Sequence, residues 1–438
     1  MRSFAALLLI AGALWGAPAM AIEIQEIKAK SGITAWLVED HANPIITMNI
    51  AFRGGSALDP DGKEGLANLA ASTMDEGAGD LDSQAFQRKL EDLSISIRFG
   101  SRRDNFTGSL RTLTANSNEA FSLLALALTK PRFDSKAVER VRRQILAGLR
   151  RSSENPSDIA SRALMKQFFP NHPYGRPSDG TLETVPLIKL ADLRVFAAQR
   201  IARDNLVVGI VGDITPAQTA AMLDKVFGGL PDKAAPWKLP DVQAAPGKRT
   251  IVIDKPVPQS IIRFGHGGIK RDDPDFFAAY VMNYVLGGGG FESRLYEEVR
   301  EKRGLAYSAW SYLSPMNAAG LVLGGAGTAN ERAGETVDVM RDVWRRMADK
   351  GVSAKELEDA KTYLTGSYSL RFTSSRRISS ILVGIQLQRL GIDYIEKRNG
   401  LIAAIDKVDV NRVAKKLLRP DGITLVVVGN PINVTAQP

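Results

Sequence analysis

The stretch Leu206–Asp213, LVVGIVGD, is matched near the end of the chain by Leu425–Asn430, LVVVGN. Each stretch is a run of branched apolar residues that ends in glycine and a polar residue, which is the pattern of a buried strand followed by a turn. Each run closes a segment of about 200 residues in which strand-like and helix-like patterns alternate irregularly. We therefore interpret the chain as an internal duplication of one α+β unit.

A proline-rich stretch separates the two copies. Residues 231–248, PDKAAPWKLPDVQAAPGK, carry four prolines and little periodicity, which predicts an extended linker. We accordingly predict an N-terminal domain over residues 22–230 and a C-terminal domain over residues 249–438. A Rossmann fold is not favoured, because GAGT at 325–328 lacks the third glycine of the dinucleotide-binding fingerprint. We interpret those four residues as a turn.

Residues 1–21 have the features of a signal peptide. A short positive start, Met1-Arg2, precedes the apolar run Phe4–Trp15, and Ala19-Met20-Ala21 matches a small-x-small cleavage site. The alternative is an uncleaved anchor, but the run is shorter than the ~20 residues that a membrane-spanning helix needs. We expect a periplasmic or secreted protein that begins near Ile22 and has no membrane span after cleavage.

Composition excludes several classes of function. The 438 residues include no cysteine, so disulfide scaffolds, thiol nucleophiles and cysteine-based zinc sites are excluded. The net charge of +9 is not gathered into a nucleic-acid-binding motif, and the densest basic run, Arg140–Arg151, is typical of a solvated helix face. The three histidines, His41, His172 and His266, are far apart, and we interpret each as a turn or surface residue.

Two segments resemble the pitrilysin/insulinase-type metallopeptidases and the mitochondrial processing peptidases. GGSALDPDGKEGLA at 54–67 is similar to the segment that leads into the zinc helix of this family, and SRLYEEVREKRGLAYS at Ser293–Ser308 is similar to its C-terminal motif. The duplicated halves and the linker agree with the resemblance. It implies two homologous α+β domains, each a mainly antiparallel sheet with helices packed on it, which together form half of a clamshell.

The zinc motif of the family is missing from this chain. Active members carry H-x-x-E-H after Gly-Leu-Ala, where two histidines four residues apart bind zinc and the glutamate acts as general base. The matching positions here hold Asn68, Ala71 and Ser72, and the distal glutamate ligand of the family falls at Gly148. We therefore expect no metal and no other cofactor in this chain.

The C-terminal motif keeps two groups that the resemblance assigns to catalysis. In the family, an arginine and a tyrosine seven positions apart donate hydrogen bonds to the substrate carbonyl, and the matching residues here are Arg300 and Tyr307. A guanidinium and a phenol can both stabilise a developing oxyanion. Gly304 is expected to break the helix so that both tips converge. The alternative is that Arg300 pairs with Glu297 and that Tyr307 fills a strand face.

Four consecutive glycines, Gly287, Gly288, Gly289 and Gly290, precede that motif. Such a run predicts a loop that is mobile or closely approached by other atoms. The noncatalytic subunit of processing peptidases has a glycine-rich substrate-handling loop, so these residues are candidates for substrate binding. A helix C-terminal turn after Leu286 is the alternative.

Together these observations predict the noncatalytic subunit of an exported heterodimeric zinc metallopeptidase. Its partner would be a homologous chain that has H-x-x-E-H and carries the zinc, and the pair would enclose peptide substrates. One alternative is a partner-free pseudo-peptidase that captures peptides or acts as a chaperone. Another is a structural subunit similar to the core proteins of respiratory complexes. A neighbouring reading frame that encodes an exported homologue with H-x-x-E-H would separate these hypotheses.

Overall fold

The computed structural model describes residues 22–247 and 249–437, so the predicted signal peptide lies outside the described residues. The strands of the N-terminal half are β1 (Gln25–Lys28), β2 (Thr34–Glu39), β3 (Ile45–Arg53), β4 (Ser96–Ser101), β5 (Asn105–Leu113) and β6 (Leu206–Gly212). Its helices are α1 (Leu66–Ala71), α2 (Ser83–Asp92), α3 (Ser117–Thr129), α4 (Ser135–Glu154), α5 (Pro156–Phe168), α6 (Leu190–Arg200) and α7 (Pro216–Phe227).

The C-terminal half repeats this alternation of strands and helices. Its strands are β7 (Thr250–Asp254), β8 (Gln259–Gly267), β9 (Ala306–Pro315), β10 (Gly320–Ala329) and β11 (Thr424–Gly429). Its helices are α8 (Phe276–Asn283), α9 (Arg294–Tyr296), α10 (Ala333–Lys350), α11 (Ala354–Gly366), α12 (Ser375–Leu387), α13 (Tyr394–Ala403) and α14 (Lys407–Leu417). Within the described ranges, none of these helices is both long and apolar enough to cross a membrane.

The two sheets share one strand order. The first runs β1-β2-β6-β3-β5-β4 and the second runs β7-β11-β8-β10-β9. The pairs β2/β6 and β7/β11 are parallel, and every other neighbouring pair is antiparallel. Each strand of the second sheet therefore has a counterpart in the first, and β1 is the additional strand. This agreement confirms the predicted α+β fold with two homologous, mainly antiparallel units.

The repeated apolar runs form β6 and β11, which are interior strands covered on both faces. In β6, Val208 and Ile210 lie in the large core of the first half, whereas Val211 on the other face packs against α12. Because both faces are buried, the strand is a continuous apolar run rather than an alternating one. Gly209 allows the helix to approach closely, since a Cβ atom there would lie 2.7 Å from the carbonyl oxygen of Ser379.

The two halves exchange helices across their sheets. Helix α12 of the second half covers β3 and β6 of the first sheet, in a cluster of Trp36, Val38, Val211, Ile378, Leu382 and Ile385. Helix α5 of the first half covers β8 and β11 of the second sheet, in a cluster that includes Ala160, Leu164, Phe168, Leu321, Leu323, Val426 and Val428. Arg53 on β3 donates to the carbonyl oxygens of Leu387, at 2.7 Å, and Gln386, at 2.9 Å, and so satisfies the C-terminus of α12.

Residues 325–328, which the sequence predicts to be a turn, lie inside β10, so that prediction is wrong. Glycine is needed at position 325 because side chains from the two neighbouring strands pass over it. A Cβ atom on Gly325 would lie 2.7 Å from a terminal guanidinium nitrogen of Arg263 and 2.9 Å from the ring of Trp310. The segment therefore uses glycine for close packing inside a strand rather than for a turn.

Candidate functional site

The C-terminal motif forms a short irregular helix that ends at a glycine. After Ser293 the chain makes the helical turn α9 and continues as a π-helical turn over Glu297–Glu301. Gly304 has a φ of +58°, which is the left-handed conformation that ends a helix at low cost for glycine. Strand β9 begins two residues later, so the break that the sequence predicts is present and turns the chain back on itself.

This turn brings Arg300 and Tyr307 together. The guanidinium carbon of Arg300 lies 4.5 Å from the centroid of the Tyr307 ring and 4.9 Å from that of Tyr296, so the cation is held between two aromatic rings. A terminal nitrogen of Arg300 also donates to the hydroxyl of Tyr296. Tyr296 is buried, whereas the side chain of Tyr307 is 81% exposed. The pair therefore presents one cationic and one neutral donor at the surface.

The alternative contacts expected from the sequence are not those in the structure. Glu297 forms an ion pair with Lys302 at 2.8 Å, and among the described residues Arg300 has no carboxylate within ion-pair distance. Tyr307 is exposed at the start of β9 and does not fill a buried strand face. The geometry brings the two groups together, and their role at a substrate carbonyl remains a prediction.

Ion pairs from a buried carboxylate to three half-exposed cations hold the motif in place. The carboxylate of Glu298 accepts from Lys302 at 2.9 Å and Arg303 at 2.6 Å and lies 3.4 Å from Arg346 on α10. Burial by itself would raise the pKa of Glu298, but the hydrogen bonds from Lys302 and Arg303 outweigh it and lower the pKa to about 2. This network fixes the turn that carries Arg300.

A second ion pair anchors the start of the motif. Arg294 donates to the two carboxylate oxygens of Glu356 at 2.6 and 2.8 Å, which is a bidentate arrangement, and also to the carbonyl oxygen of Gly351 at 2.8 Å. Glu356 belongs to the first turn of α11. The motif helix is therefore tied at both ends to the long helices behind the second sheet.

The first three of the four glycines are tightly packed, whereas Gly290 has open space around it and a left-handed φ of +59°. Helix α8 continues as a π-helical turn through Gly288, so it does not end after Leu286. Cβ atoms on Gly287 and Gly288 would lie 2.5 Å from the Ser311 hydroxyl and 2.7 Å from the Asn283 amide. Of the two behaviours expected from the sequence, close approach is the one observed. Contact of these glycines with substrate remains a prediction.

Sequence reasoning missed Phe291, the residue that follows the glycines. Its ring is 71% exposed and packs edge-on against Tyr296, with the ring centroids 4.8 Å apart. Phe291, Tyr296, Arg300 and Tyr307 therefore form one continuous stack. The signal in the sequence was an aromatic residue placed between a glycine run and a helix start, which alone does not identify a binding residue.

The segment that matches the zinc helix of the family forms α1 but has no ligand side chains. Asp59 accepts from the backbone N–H groups of Gly65 and Ala67, at 2.9 and 3.0 Å, and so orients the start of α1. On this helix Ala71 is buried and Asn68 is half-buried. Ser72, which follows α1, and Gly148, on α4, are half-buried as well.

These residue types do not fit a zinc ion, which proteins bind through cysteine, histidine or carboxylate side chains. In the parts of the chain that the structure describes, no group of three histidine, aspartate or glutamate side chains is placed to hold a metal.

Two of the histidines stabilise loops. His41 lies on the surface, and its Nδ1 is 2.7 Å from a carboxylate oxygen of Asp213. His172, in contrast, is buried: its Nδ1 accepts from the backbone N–H of Tyr174 at 3.2 Å, and its Nε2 lies 3.1 Å from the carbonyl oxygen of Pro240. His172 therefore ties the linker to the first half, and it lies in a turn, as the sequence predicts, although it is buried.

His266 is a core residue of β8, so its interpretation as a turn or surface residue is wrong. The indole N–H of Trp344 donates to its Nε2 at 3.0 Å, and its Nδ1 lies 2.7 Å from the carbonyl oxygen of Gly267. The first contact requires an unprotonated Nε2, and the second requires an N–H on Nδ1. Burial lowers the pKa of His266 to about 4, so the ring is neutral at physiological pH.

Comparison with known proteins gives consistent matches over both halves. Residues 35–182 match the profile described as "Insulinase (Peptidase family M16)", and residues 188–364 match "Peptidase M16 inactive domain". A Helicobacter pylori protein named "Non-peptidase homolog YmxG" is 30% identical over 432 residues, which cover 98% of this chain and 99% of that protein.

Two solved structures have the same architecture. A peptidase M16 inactive domain from Pseudomonas fluorescens matches with a TM-score of 0.87 and 32% identity, over 95% of this chain and all of that one. A protease from Helicobacter pylori matches with a TM-score of 0.85 over 93% of this chain and 100% of that one. At 18% identity the second match shows the fold alone.

Proposed function

We propose, from the premise that the chain belongs to the insulinase peptidase family M16, that it is the noncatalytic subunit of a heterodimeric zinc peptidase. The comparisons confirm the family and the two-domain α+β fold that the sequence predicts. Similarity to a protein named as a non-peptidase homologue and to a structure described as an inactive domain supports a noncatalytic member. The zinc-bearing partner and the shared active site are what the proposal adds.

The exposed pair of Arg300 and Tyr307 is the observation that carries this proposal. Both groups are hydrogen-bond donors. The guanidinium of Arg300 packs on the ring of Tyr307, and Tyr307 is 81% exposed. Donors of this kind accelerate hydrolysis only where an oxyanion develops beside them. Since the positions that match the zinc ligands hold Asn68, Ser72 and Gly148, the chemistry that would use these donors is expected in another chain.

The partner would be a homologous chain that carries H-x-x-E-H and the zinc. The two chains would close as a clamshell around a peptide chamber, with Arg300 and Tyr307 completing the partner's site across the interface. Extended peptides would add a strand to the free edge of a sheet, a mode that supplies backbone hydrogen bonds and alternate side-chain pockets. Strand β4 is such an edge, and it lies beside α1.

Export to the periplasm is part of the proposal. The charged start, apolar run and small-residue site within residues 1–21 support cleavage near Ile22. The functional chain would then be residues 22–438. Detection of a mature N-terminus at Ile22 in the periplasmic fraction would support this location, and an intact N-terminus in the cytoplasm would contradict it.

A partner-free pseudo-peptidase that captures peptides or acts as a chaperone is the second candidate. The observation that favours it is the relative named as a non-peptidase homologue, whose similarity extends over nearly the whole chain. In that case Arg300 and Tyr307 would bind peptide carbonyls without any hydrolysis, and a second chain would not be needed.

Mixing purified chains separates these two functions. Residues 22–438, the zinc-bearing homologue from the same genome, and an equimolar mixture would each be tested on an internally quenched peptide library. Hydrolysis that occurs only in the mixture and disappears with a chelator supports the heterodimer. Full activity of the homologue alone, unchanged by this chain, contradicts it. Peptide binding by this chain without hydrolysis in any combination supports the second candidate.

A further inference from the structure

Trp310 and Tyr312 on β9 form an aromatic surface at the edge of the second sheet. Their rings stack, with the centroids 5.4 Å apart and the planes at 27°. Strand β9 is the last strand of this sheet, whereas α5 packs on β8 and β11, on the far side of β10. Trp310 is accordingly half-buried, and Tyr312 is 45% exposed.

The register of three strands holds the indole of Trp310 in place. Gly325 on β10 pairs with Arg263 on β8 and with Trp310 on β9, and residues that pair directly have their side chains on the same face. A Cβ atom on Gly325 would lie 2.9 Å from the indole. The guanidinium carbon of Arg263 lies 5.1 Å from the centroid of the Trp310 ring. The indole is therefore held by a cation, a glycine and a second ring.

A β-bulge turns Tyr307 away from the core. The register of β9 against β10 shifts where Tyr307 and Ser308 lie opposite the single residue Gly327. Ala306 and Ala309, on either side of this pair, both belong to the core of the second half. In a regular strand, residues three positions apart face opposite sides of the sheet. The extra residue therefore takes Tyr307 off the core face, and its side chain is 81% exposed.

Tyr307, Trp310 and Tyr312 thus lie on the outer side of one strand. At about 3.3 Å per residue, Tyr307 and Trp310 are separated by roughly 10 Å along β9. An extended peptide covers that distance in about three residues. A peptide whose carbonyl group contacts Arg300 and Tyr307 would therefore place a side chain within three residues of that carbonyl on the two stacked rings.

We propose that Trp310 and Tyr312 are specificity-determining residues, which bind an aromatic or large aliphatic side chain of the substrate peptide. Their rings offer a large apolar area at an exposed position, and aromatic rings attract one another when they are offset-stacked or edge-on. The inference rests on the proposed function, because Arg300 and Tyr307 fix where the peptide carbonyl lies. It names the substrate class as peptides with a bulky apolar residue close to the bond presented to the zinc.

A peptide suits this surface better than a sugar. Sugar rings can also cover an aromatic surface, but their hydroxyl groups need hydrogen-bonding partners. The two terminal nitrogens of Arg263 already donate to the carbonyl oxygen of Ile262, at 3.0 Å, and to the hydroxyl of Ser157, at 3.2 Å. The paired position on β10 is glycine and offers no side chain.

Fluorescence anisotropy tests the preference on this chain alone. Three labelled decapeptides of glycine and serine would carry one phenylalanine, one leucine or neither, and a labelled tetramer of N-acetylglucosamine would be the sugar probe. We expect the first two peptides to bind residues 22–438 at least about fivefold more tightly than the third, the low end for covering one apolar side chain.

Two tryptophan variants test the assignment to β9. Trp310→Ala should remove most of the preference, whereas Trp237→Ala, at a linker tryptophan that is 39% exposed, should leave it within about twofold. If Trp310→Ala lowers the melting temperature, Tyr312→Ala, at the more exposed of the two rings, decides the case and should also reduce the preference.

Mapping of cleavage products tests the position of the surface. In an active mixture with the zinc-bearing homologue, mass spectrometry should find the cleaved bond within three residues of the phenylalanine. Moving the phenylalanine along the peptide should move the cleaved bond with it, and Trp310→Ala should abolish this dependence.

Equal affinity for all three peptides, no peptide binding at millimolar concentration, equal effects of the two tryptophan variants, or tighter binding of the sugar would overturn the inference. Because the binding assay needs neither partner nor hydrolysis, its failure beside an active mixture would refute this surface alone. An inactive mixture beside a preference that depends on Trp310 would instead refute the shared active site and support this peptide-binding surface.

Discussion

The buried histidine of β8 allows a quantitative prediction about stability and pH. His266 accepts from Trp344 and lies within hydrogen-bonding distance of the Gly267 carbonyl, so the folded chain is built around its neutral form. Its pKa in the folded state is about 4, against about 6.5 in an unfolded chain. Lowering the pH from 7.5 to 5 is therefore the perturbation, and comparison with a variant that lacks the imidazole separates His266 from other groups that titrate in this range, such as Asp59, whose pKa burial raises to about 7.

The sign and size follow from proton linkage. Between pH 6.5 and pH 4 the unfolded chain binds a proton at His266 and the folded chain does not, so the free energy of unfolding falls as the pH falls. At pH 5 the base-10 logarithm of the ratio of the two protonation terms, one for the unfolded and one for the folded chain, is about 1.5, which corresponds to about 2 kcal/mol. This loss begins near pH 6.5 and is complete near pH 4.

Urea unfolding of three proteins measures this loss. The free energy of unfolding of wild type, His266→Gln and His41→Gln would be determined at pH 7.5, 6 and 5. Wild type should lose about 2 kcal/mol more than His266→Gln between the extremes, because the variant lacks the imidazole of His266. The hydrogen bond with Asp213 raises the pKa of the exposed His41, so protonation of His41 opposes the decrease, and His41→Gln should show a decrease at least as large as that of the wild type. His172, with a lowered pKa, is common to all three proteins and cancels.

The pH dependence of the His266→Gln variant decides the outcome. A decrease equal to that of the wild type would refute the reasoning, because it would mean that His266 is protonated equally in the folded and unfolded states. The quantity compared is the change in the free energy of unfolding with pH, not its absolute value. The cost of the substitution itself is the same at every pH and therefore cancels.

Three other changes test the scaffold of the site. Glu298→Gln should lower the free energy of unfolding at neutral pH by roughly 2 kcal/mol, a figure reduced for the half-exposed cation partners of Glu298. The difference in this free energy between variant and wild type should shrink as the pH falls below 4.5 toward 2. An unchanged difference at pH 3 in urea unfolding would contradict this. Leu382 is fully buried between α12 and the first sheet, so Leu382→Ala should lower the free energy of unfolding by about 2–5 kcal/mol in thermal melts. Ile392 is 36% exposed, and Ile392→Ala should lower it much less. Equal losses of stability would contradict the packing of α12 on the first sheet. Gly287→Ala should destabilise the fold by about 1–3 kcal/mol, because the added Cβ atom would lie 2.5 Å from Ser311 on β9. Gly384 has open space around it in α12, so Gly384→Ala should be neutral or stabilising by up to about 1 kcal/mol. The reverse order of stabilities in chemical denaturation would contradict the close packing of Gly287.

The sequence predicted the duplicated architecture because its central strands are buried on both faces. LVVGIVGD and LVVVGN are continuous apolar runs, and that signal does not depend on tertiary detail. The exchange of α5 and α12 was not predictable, since an amphipathic pattern shows that one face is buried but not which sheet buries it. Local sequence cannot distinguish a glycine that turns the chain from one that makes room for Arg263 and Trp310. The glycines inside β10 therefore predict a turn where the structure has a strand.

The site was predicted only as far as its motif extends. Arg300 and Tyr307 are predicted as a pair because the segment that carries them resembles the C-terminal motif of the family, but the packing of Arg300 between Tyr307 and Tyr296 depends on the π-helical turn. The sequence predicts a turn or surface position for His266, whereas β8 runs through it and buries it.

The turnover of the assembled pair is the most direct test of a shared active site. Tyr307→Phe removes one oxyanion donor and should lower kcat by roughly 10²–10³ with little change in KM. Tyr363→Phe, at a tyrosine 58% exposed outside the motif, is the matched control and should leave kcat within about twofold. A kcat for Tyr307→Phe equal to that of the Tyr363→Phe control would contradict the proposal that this chain completes the catalytic site of its partner.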